Sequence, residues 1–378
     1  MAQSLTLADV ADSRSNNFRF VRHLAAATVV VAHSLGLLTP ATEAAGQAWQ
    51  IARSTSALAV DVFFIASGFL VGRSLLVRGN LTDFVASRVL RIYPALIVLA
   101  LLTAFVLGPI VTVLPWREYF SIKAVYSFAI LDSIMLIPHY FRYQLPGVFT
   151  TLDSHFGDTV NGSLWTLPWE LWMYCSLIVL FKLRALGTIS FGILVAIASL
   201  AFAMTPEAAF VYENNAQIAV RFVAFFYSGV ALYVFRRHVP LTLRTFAAIS
   251  AAFALTWWLA GQPVLLPQWL GYAVLFLTYH PRLVVKRMSE GADYSYGLYI
   301  YAYPVQQTLI WATGMKSPVL HIAASLAITL GLAMVSWHWL EAPALRLKDR
   351  LRARSSRASG PINSPAAPPP PPRRSAPR

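Results

Sequence analysis

The sequence predicts an all-α fold: a polytopic membrane helix bundle of about ten transmembrane helices, followed by a disordered basic Pro-rich C-terminal tail. The first observation is the composition, in which 57% of the 378 residues are hydrophobic and only 12% are charged. A soluble protein of this size needs a larger polar surface. The second observation is that apolar runs long enough to cross the hydrocarbon core recur along the chain. The single cysteine excludes an internal disulfide and any metal site built on paired cysteines.

The predicted spans each contain at least about 17 mostly apolar residues, the minimum for a helix that crosses the hydrocarbon core. They are residues 20–38, 57–76, 90–110, 165–183, 188–205, 216–235, 244–260, 264–280, 295–314 and 318–340. A further run, 119–137, is ambiguous because it contains Lys123 and Asp132. The distribution of basic residues decides whether this run crosses.

Basic residues concentrate on one side of the membrane when run 119–137 is left outside the bilayer. Both termini then lie on the same side, and most of the 30 lysine and arginine residues fall in loops on that side. Such loops are typical of the cytoplasmic face. If 119–137 crossed, the later loops would change sides and the bias would disappear. We therefore expect cytoplasmic termini and an outer segment, 109–164, with a re-entrant or interfacial piece.

The chain divides into three regions. Residues 1–17 form a cytoplasmic N-terminal segment, 18–346 the transmembrane domain, and 347–378 a cytoplasmic basic tail. The tail is rich in proline, serine and arginine from about residue 354, with too few apolar residues to pay for folding, so it is predicted to be disordered. The formal net charge of +14 would suggest nucleic acid in a soluble protein, but basic loops explain it here. The lipid bilayer, and not nucleic acid, is the predicted partner.

Arg22 and His33 form the first candidate pair. They stand eleven positions apart in the first predicted span, which places them on one helix face and separates them by ~16 Å along the axis. Arg22 then lies at the cytoplasmic end and His33 near the middle of the membrane. An ionisable residue at that depth is costly, so His33 is a candidate catalytic residue. The alternative is a histidine that only bonds neighbouring helices.

Arg88 and Arg91 form the second pair, at the cytoplasmic start of the third predicted span. A spacing of three places them on one helix face, at the level of Arg22. Three guanidiniums at one level are either anchors at the membrane surface or a receptor for phosphates, which arginine binds in a two-pronged geometry. With His33 deeper in the membrane, the receptor interpretation predicts a phosphate-bearing donor that presents its reactive end to His33.

The stretch NGSLWTLPWELWMYCSL, residues 161–177, provides a carboxylate and several tryptophans. Glu170 lies near the outer end of its predicted span, where we expect it to approach His33 from above as a catalytic partner. Trp165 and Trp169 favour an aromatic belt at the interface, with a sugar-binding wall as the alternative. Asp61 lies at the outer end of the second span and is a second candidate partner for His33. Arg221 is expected to extend outward to the membrane surface.

Other site classes find no support in the sequence. It contains no G-x-S-x-G nucleophile elbow, no G-x-x-x-x-G-K-[ST] phosphate loop, and no histidine pair with zinc-ligand spacing. No metal is therefore predicted.

The motifs together resemble the acyltransferase-3 family of polytopic membrane O-acyltransferases over residues 18–346. Any one motif is weak, but their order and spacing are specific. One position departs from the family, since Ala302 stands where many members carry a histidine, and this bears on the acceptor more than on the core reaction. The motifs are Arg22-x10-His33, VDVFFIASGFL, Arg88-x-x-Arg91, LWTLPWEL, DYSYGLYIYAYPV and WLEAP.

The resemblance implies transfer of an acyl group, usually acetyl from acetyl-CoA, to a hydroxyl of a sugar. Acceptors in the family include surface polysaccharides, lipid-linked glycans and small secreted molecules. In this interpretation the three arginines hold the phosphates of the acyl-CoA, and His33 either takes the proton from the acceptor hydroxyl or carries the acyl group covalently. The resemblance also implies a multi-pass protein of a bacterial inner (plasma) membrane.

Two other functions stay open at this stage. The chain is alternatively a transporter or flippase of an anionic or glycan substrate, with Arg22 and His33 along the pathway. Matched broken helices would support that interpretation, and the sequence shows no such symmetry. The other open function is that of a non-catalytic scaffold that acts through its basic tail.

Overall fold

The computed structural model describes residues 5–40, 46–135, 144–152, 158–205, 215–285 and 291–347, and these residues form helices joined by short connections. The all-helical prediction is confirmed, since no strand occurs among them. The α-helices are α1 (Leu7–Val10), α2 (Phe18–Leu38), α3 (Gln47–Arg78), α4 (Leu81–Leu102), α5 (Gly108–Val111), α6 (Trp116–Ser121), α7 (Lys123–Ile134), α8 (Leu167–Lys182), α9 (Ile189–Met204), α10 (Asn215–Val234), α11 (Leu243–Ala260), α12 (Leu266–Tyr279), α13 (Ser295–Thr313) and α14 (Pro318–Ser336).

Each predicted span coincides with a helix, but only some of these helices are long and apolar enough to cross a bilayer. In the described residues, seven helical stretches are long and apolar enough to do so: 18–38, 50–78, 81–111, 162–182, 215–234, 243–260 and 318–347. The other three predicted spans correspond to α9, α12 and α13. Helices α9 and α12 have only 16 and 14 residues, and α13 is rich in tyrosine and carries two glutamines. The protein is a multi-pass membrane protein.

The segment after α4 follows the expectation that it does not cross the membrane. Helix α4 continues through a π-helical turn, Thr103–Leu107, into α5. Helices α6 and α7 have 6 and 12 residues, too few to span the hydrocarbon core. Tyr119 anchors this region, because its hydroxyl donates a hydrogen bond of 2.8 Å to the carbonyl of Ala104. Burial raises the pKa of Tyr119, so the phenol stays protonated in that bond.

The turn between α3 and α4 sets the position of the basic pair on α4. Gly79 ends α3 in the left-handed region, with φ of 64°, which a residue with a side chain rarely adopts. Asn80 then caps α4, because its side chain accepts hydrogen bonds from the backbone of Thr82 and Asp83. The two helices therefore reverse direction within two residues, and α4 carries Arg88 and Arg91 back along the bundle.

Helices α3 and α10 pack with their backbones in close approach. A Cβ placed on Gly68 would lie 2.0 Å from the carbonyl oxygen of Phe226, and one on Gly229 would lie 2.2 Å from that of Ile65. Only glycine allows the two backbones to approach so closely, as is typical of helices packed within a membrane. Ser67, the neighbour of Gly68 in the SGFL end of the VDVFFIASGFL motif, therefore lies beside this close contact.

The N-terminal segment packs against the bundle. Leu7 and Ala11 are fully buried beside Phe18, Phe69 and Tyr279. The backbone of Leu7 donates a hydrogen bond of 2.9 Å to Val239, so this segment is fixed to the connection between α10 and α11. The predicted disordered tail lies outside the described residues.

Candidate active site

A central cavity of about 100 Å³ brings together side chains from five helices. Its walls include the three arginines that the sequence grouped, Arg22 of α2 and Arg88 and Arg91 of α4. Glu170 of α8 and Tyr299 of α13 complete the polar part of the lining. The three guanidiniums that the sequence placed at one level therefore line one cavity, and their binding of phosphate stays a prediction.

Asp293, directly before α13, bridges two of these arginines. Its Oδ2 accepts a hydrogen bond of 2.7 Å from Arg22 and one of 2.8 Å from Arg91. Arg91 also donates to Glu341 at 3.3 Å, and its guanidinium lies over the rings of Tyr296 and Trp337. Glu341 belongs to a π-helical turn that follows α14. The network therefore ties α2, α4, α13 and the end of α14 together.

Asp293 is held as a carboxylate. Burial raises its pKa, but the guanidiniums of Arg22 and Arg91 and the hydroxyl of Ser295 outweigh that effect and bring the pKa well below its ordinary value. The Ser295 hydroxyl donates to the second carboxylate oxygen at 2.6 Å. Two of the three cavity arginines consequently share one negative charge that persists across the physiological pH range.

Arg88 differs from its two neighbours. Its Nε is buried and has no hydrogen-bond partner among the described residues. The guanidinium lies 5.8 Å from the ring centre of Tyr174, whose hydroxyl donates to Glu170. A buried guanidinium nitrogen without an acceptor is unusual, because its desolvation is not repaid by a hydrogen bond. Arg88 is thus the cavity arginine most available to an anion.

Glu170 lies at the arginine end of the cavity, which corrects the expectation that it approaches His33. Its Oε1 accepts hydrogen bonds from Ser67, at 3.0 Å, and from Tyr174. The helical chain before α8 begins at Gly162 in a buried 3-10 segment. Glu170 therefore lies eight residues, or more than ~12 Å, after that start and well inside the helical stretch 162–182, not near its outer end.

His33 lies on the same helix as Arg22 but outside the cavity lining. Its ring packs edge-on against Tyr303 of α13, with 5.3 Å between the ring centres, and its Nδ1 is buried without a partner among the described residues. The ring is directed toward α13 and not into lipid. Tyr303 is one helical turn, ~6 Å, from the cavity residue Tyr299, so α13 connects the cavity to His33.

Gln306 holds the helical turn that carries His33. Its side-chain nitrogen donates to the carbonyl of Val30 at 2.7 Å and to the hydroxyl of Ser34 at 2.6 Å. Val30 and Ser34 are four residues apart on α2, and His33 lies between them. Gln306 and Ser34 are fully buried. This glutamine, which the sequence motifs did not single out, restricts the turn on both sides of the imidazole.

Comparison with known proteins matches this arrangement to one family. A family model described as an acyltransferase domain matches residues 16–338. Nodulation protein 10 of Rhizobium leguminosarum bv. viciae is 28% identical over 368 residues, which cover 90% of this chain and 95% of the relative. The O-acetyl transferase of Shigella phage Sf6 is 29% identical over 341 residues, 87% of this chain and 95% of the relative. No solved structure matches.

The chain belongs to the acyltransferase-3 family of membrane O-acyltransferases. The motifs that carried the resemblance meet in space in this acyltransferase, since Arg22, Arg88, Arg91 and Glu170 line one cavity and Ser67 of the SGFL motif joins them. Glu341 of the WLEAP motif forms a salt bridge of 3.3 Å with Arg91. Each of the six motifs thus contributes a residue to one cluster, whereas His33 of the first motif lies outside the cavity lining.

Asp61 of the acyltransferase has a partner other than His33. Both of its oxygens accept hydrogen bonds from Arg221 of α10, at 2.9 and 2.5 Å, and both side chains are buried. Arg221 lies over the rings of Phe202 and Phe225. The expected outward extension of Arg221 is wrong, because a buried carboxylate offers the guanidinium a closer partner than the membrane surface.

The tryptophans of α8 and of the 3-10 segment before it differ in their burial. Trp169 is buried and Trp165 is half-buried, and both pack against Phe222, at 5.5 Å for Trp165 and 6.2 Å for Trp169. Trp172 is exposed. Neither Trp165 nor Trp169 lines the cavity, so the structure gives both a packing role, and their contact with a sugar stays a prediction.

Two acidic residues of the acyltransferase were missed by the sequence analysis, Asp293 and Glu341, as partners of the arginines. A signal existed, because both lie at span ends on the side where Arg22 and Arg91 were placed. No group of three potential metal ligands occurs among the described residues.

Proposed function

We propose that this acyltransferase moves an acetyl group from acetyl-CoA to a hydroxyl of a sugar in a surface polysaccharide, glycolipid or related acceptor. The observation that carries the proposal is the arginine cavity one helical turn from the ring that packs on His33. The name O-acetyl transferase of the phage relative supports acetyl as the acyl group. The distance between the cavity and His33 suits a donor whose anionic end and reactive carbonyl are far apart.

Arg88 is the residue that would first hold a donor phosphate. Its buried Nε lacks an acceptor in the described part of the chain, whereas Arg22 and Arg91 already have carboxylate partners. The cavity of about 100 Å³ is smaller than the ~300 Å³ at which small-molecule sites begin, so donor binding requires it to open. The cavity would open if a donor phosphate took the place of the Asp293 carboxylate at Arg22 and Arg91. A phosphate can replace a carboxylate there because both groups accept hydrogen bonds from a guanidinium in the same two-pronged geometry.

His33 is the proposed general base. The imidazole takes the proton of the acceptor hydroxyl as the hydroxyl oxygen attacks the thioester carbonyl. Gln306 fixes the turn that carries the ring, and Tyr303 limits its rotation. Glu170, at the donor end, orients Ser67 and Tyr174 along the wall of the cavity. The apolar rings around the cavity exclude water, which would otherwise compete with the sugar hydroxyl.

The proposed orientation has both termini in the cytoplasm of a bacterial cell. The arginine cavity then opens toward the cytoplasmic pool of acetyl-CoA, and His33 lies nearer the outer leaflet, where glycans are exposed. The excess of basic residues in the loops on the side of the termini supports this placement.

Mass spectrometry of surface glycans tests the proposal. Cells that express the wild-type chain are compared with cells that express His33→Ala, and with His238→Ala as a control at an exposed histidine away from the cavity. We expect one glycan class to lose its O-acetyl groups in His33→Ala only. Equal O-acetyl content in every glycan class of all three strains would refute the enzyme proposal and return the transporter interpretation.

Trapping of labelled acyl groups decides the route. The purified chain is mixed with labelled acetyl-CoA without acceptor and stopped within one turnover. Direct transfer predicts no label on the protein, whereas a covalent relay predicts label on His33.

A further inference from the structure

Helix α14 carries its polar residues on the face that is buried. His321, Ser325 and Thr329 are four residues apart, so they lie on one side of the helix, and all three are fully buried. Leu320, Ile328 and Leu332 on other faces are exposed. In a membrane helix, such an inward polar face needs hydrogen-bond partners inside the protein.

The partners that the protein supplies are incomplete. His321 Nε2 lies 3.1 Å from the carbonyl oxygen of Gln306, which can only accept, so in the neutral ring Nε2 carries the hydrogen and Nδ1 is a bare acceptor. The side-chain nitrogen of Gln306 is fixed by Val30 and Ser34, so its Oε1 is also an acceptor with a known direction. These two atoms and the hydroxyls of Ser325 and Thr329 are buried and lack hydrogen-bond partners among the described residues.

The chemistry of these four groups fits water. Two are pure acceptors that need an O–H or N–H donor, and two are hydroxyls that donate and accept. A water molecule donates two hydrogen bonds and accepts two, and buried waters typically satisfy such groups in protein interiors. An apolar ligand would leave all four groups unpaired, at a free-energy cost for each.

The polar face of α14 is linked to the turn of His33 on one side, and on the other side it is bounded by a direct contact between α13 and α14. Gln306 bonds both His321 and the turn of α2 that carries His33. Toward the arginine network, a Cβ on Gly297 would lie 2.8 Å from the Cα and Cβ of Ala333, so α13 and α14 are in direct contact there. The polar face is therefore adjacent to His33 and separated from the donor cavity.

We propose that His321, Ser325, Thr329 and Gln306 hold a file of water molecules that exchanges the proton of His33. This inference rests on the proposed function. The acceptor hydroxyl gives its proton to the imidazole as its oxygen bonds to the acyl carbon and the carbon–sulfur bond breaks. The imidazole passes that proton into the file, and the thiolate, which departs beside His33, takes a proton from the same file. One proton leaves and one enters, so the reaction is balanced.

Hydrogen exchange at the imidazole C2 position tests whether water reaches the face. The full chain in lipid nanodiscs is incubated in D2O, and deuterium at each histidine is measured by mass spectrometry. We expect exchange at His321 and slower exchange in Ser325→Ala/Thr329→Val, with no change in Thr256→Val, a threonine bonded within α11. Exposed His238 reports that D2O exchange proceeded. Retention of hydrogen at His321 while His238 exchanges overturns the water file.

Transfer kinetics test its role. We expect Thr329→Val to lower kcat roughly three- to tenfold, the factor for one lost hydrogen bond, and to raise the solvent deuterium isotope effect on kcat. The KM for acetyl-CoA stays unchanged, Thr329→Ser restores kcat, and Thr256→Val has no effect. A wild-type isotope effect in Thr329→Val, or failure of Thr329→Ser to restore kcat, overturns the proton role. If no glycan accepts acetyl, the proposed function fails, whereas the exchange measurement still decides whether the face is hydrated.

Discussion

Arg22 and Asp293 form a salt bridge of 2.7 Å across 271 residues of sequence. Because Asp293 also bonds Arg91, one carboxylate joins two arginines that were expected to bind phosphate. Glu341 and Glu170 add two more carboxylates near the same guanidiniums. Three arginines are thus balanced by three acidic residues, so the donor cavity is close to neutral before the donor binds.

Replacement of Asp293 by asparagine is expected to destabilise the protein. The change leaves Arg22 with a neutral partner and Arg91 with Glu341 as its one remaining carboxylate among the described residues, and loss of one member of a buried ion pair typically costs about 3 kcal/mol or more. Thermal unfolding in detergent measures the effect. Asp12→Asn is the matched control, because Asp12 pairs with Arg73 at an exposed site, where such pairs contribute less than about 1 kcal/mol. Equal losses in both variants would contradict a buried network.

The carboxylate of Asp293 should also determine how the stability of the protein changes at low pH. The pKa of Asp293 is below its ordinary value in the folded protein, so the unfolded chain binds a proton first as the pH falls. Its contribution is present above about pH 4, the value for a free aspartate, and is lost as the pH drops further. We expect the melting temperature of the wild type to fall more steeply below about pH 4 than that of Asp293→Asn. Parallel curves would show that Asp293 does not titrate abnormally.

The hydropathy of the sequence predicts the helices well, since each predicted span coincides with one. It does not predict which helices touch. The contact of α3 with α10 depends on Gly68 and Gly229, which lie in different runs and look alike to any scale of hydrophobicity. For the same reason the pairing of Asp61 with Arg221, 160 residues apart, was not foreseen.

The site was predictable where it depends on helix geometry and charge. Spacing placed Arg88 beside Arg91, and the side of the membrane placed Arg22 with them. The depth of Glu170 was wrong because span edges, read from hydropathy, ignore the buried 3-10 segment that precedes α8. The role of Gln306 could not be predicted from the sequence, because an uncharged amide becomes important only through the backbone groups with which it forms hydrogen bonds.

Arg88 and Arg91 should respond differently to alanine substitution. Arg88 has an unpaired buried nitrogen, so Arg88→Ala is expected to raise the KM for acetyl-CoA by ~10-fold or more with little loss of stability. Arg91→Ala removes the partner of Asp293 and Glu341 and should cost about 3 kcal/mol of stability. Donor kinetics and unfolding of both variants measure the contrast. Identical phenotypes would mean that both arginines bind the donor alike.

Gln306 is expected to affect turnover and not donor binding. Gln306→Leu frees the turn between Val30 and Ser34, and the resulting misplacement of His33 should lower kcat by ~10-fold or more. Because Gln306 does not line the cavity, the KM for acetyl-CoA should stay unchanged. Gln268→Leu is the control, since Gln268 bonds Ser199 in another part of the bundle. A kcat loss of equal size in the control would indicate a general packing effect.

The Asp61–Arg221 pair offers a test of whether Asp61 serves catalysis or the fold. Asp61→Ala leaves a buried guanidinium without its carboxylate, so we expect a loss of about 3–5 kcal/mol in unfolding free energy. The double variant Asp61→Leu/Arg221→Met replaces both charges with apolar side chains of similar size and should recover most of that loss. If the pair is structural, the double variant also recovers O-acetyl transfer to glycans. A stable double variant without transfer activity would instead return Asp61 to the catalytic role that the sequence suggested.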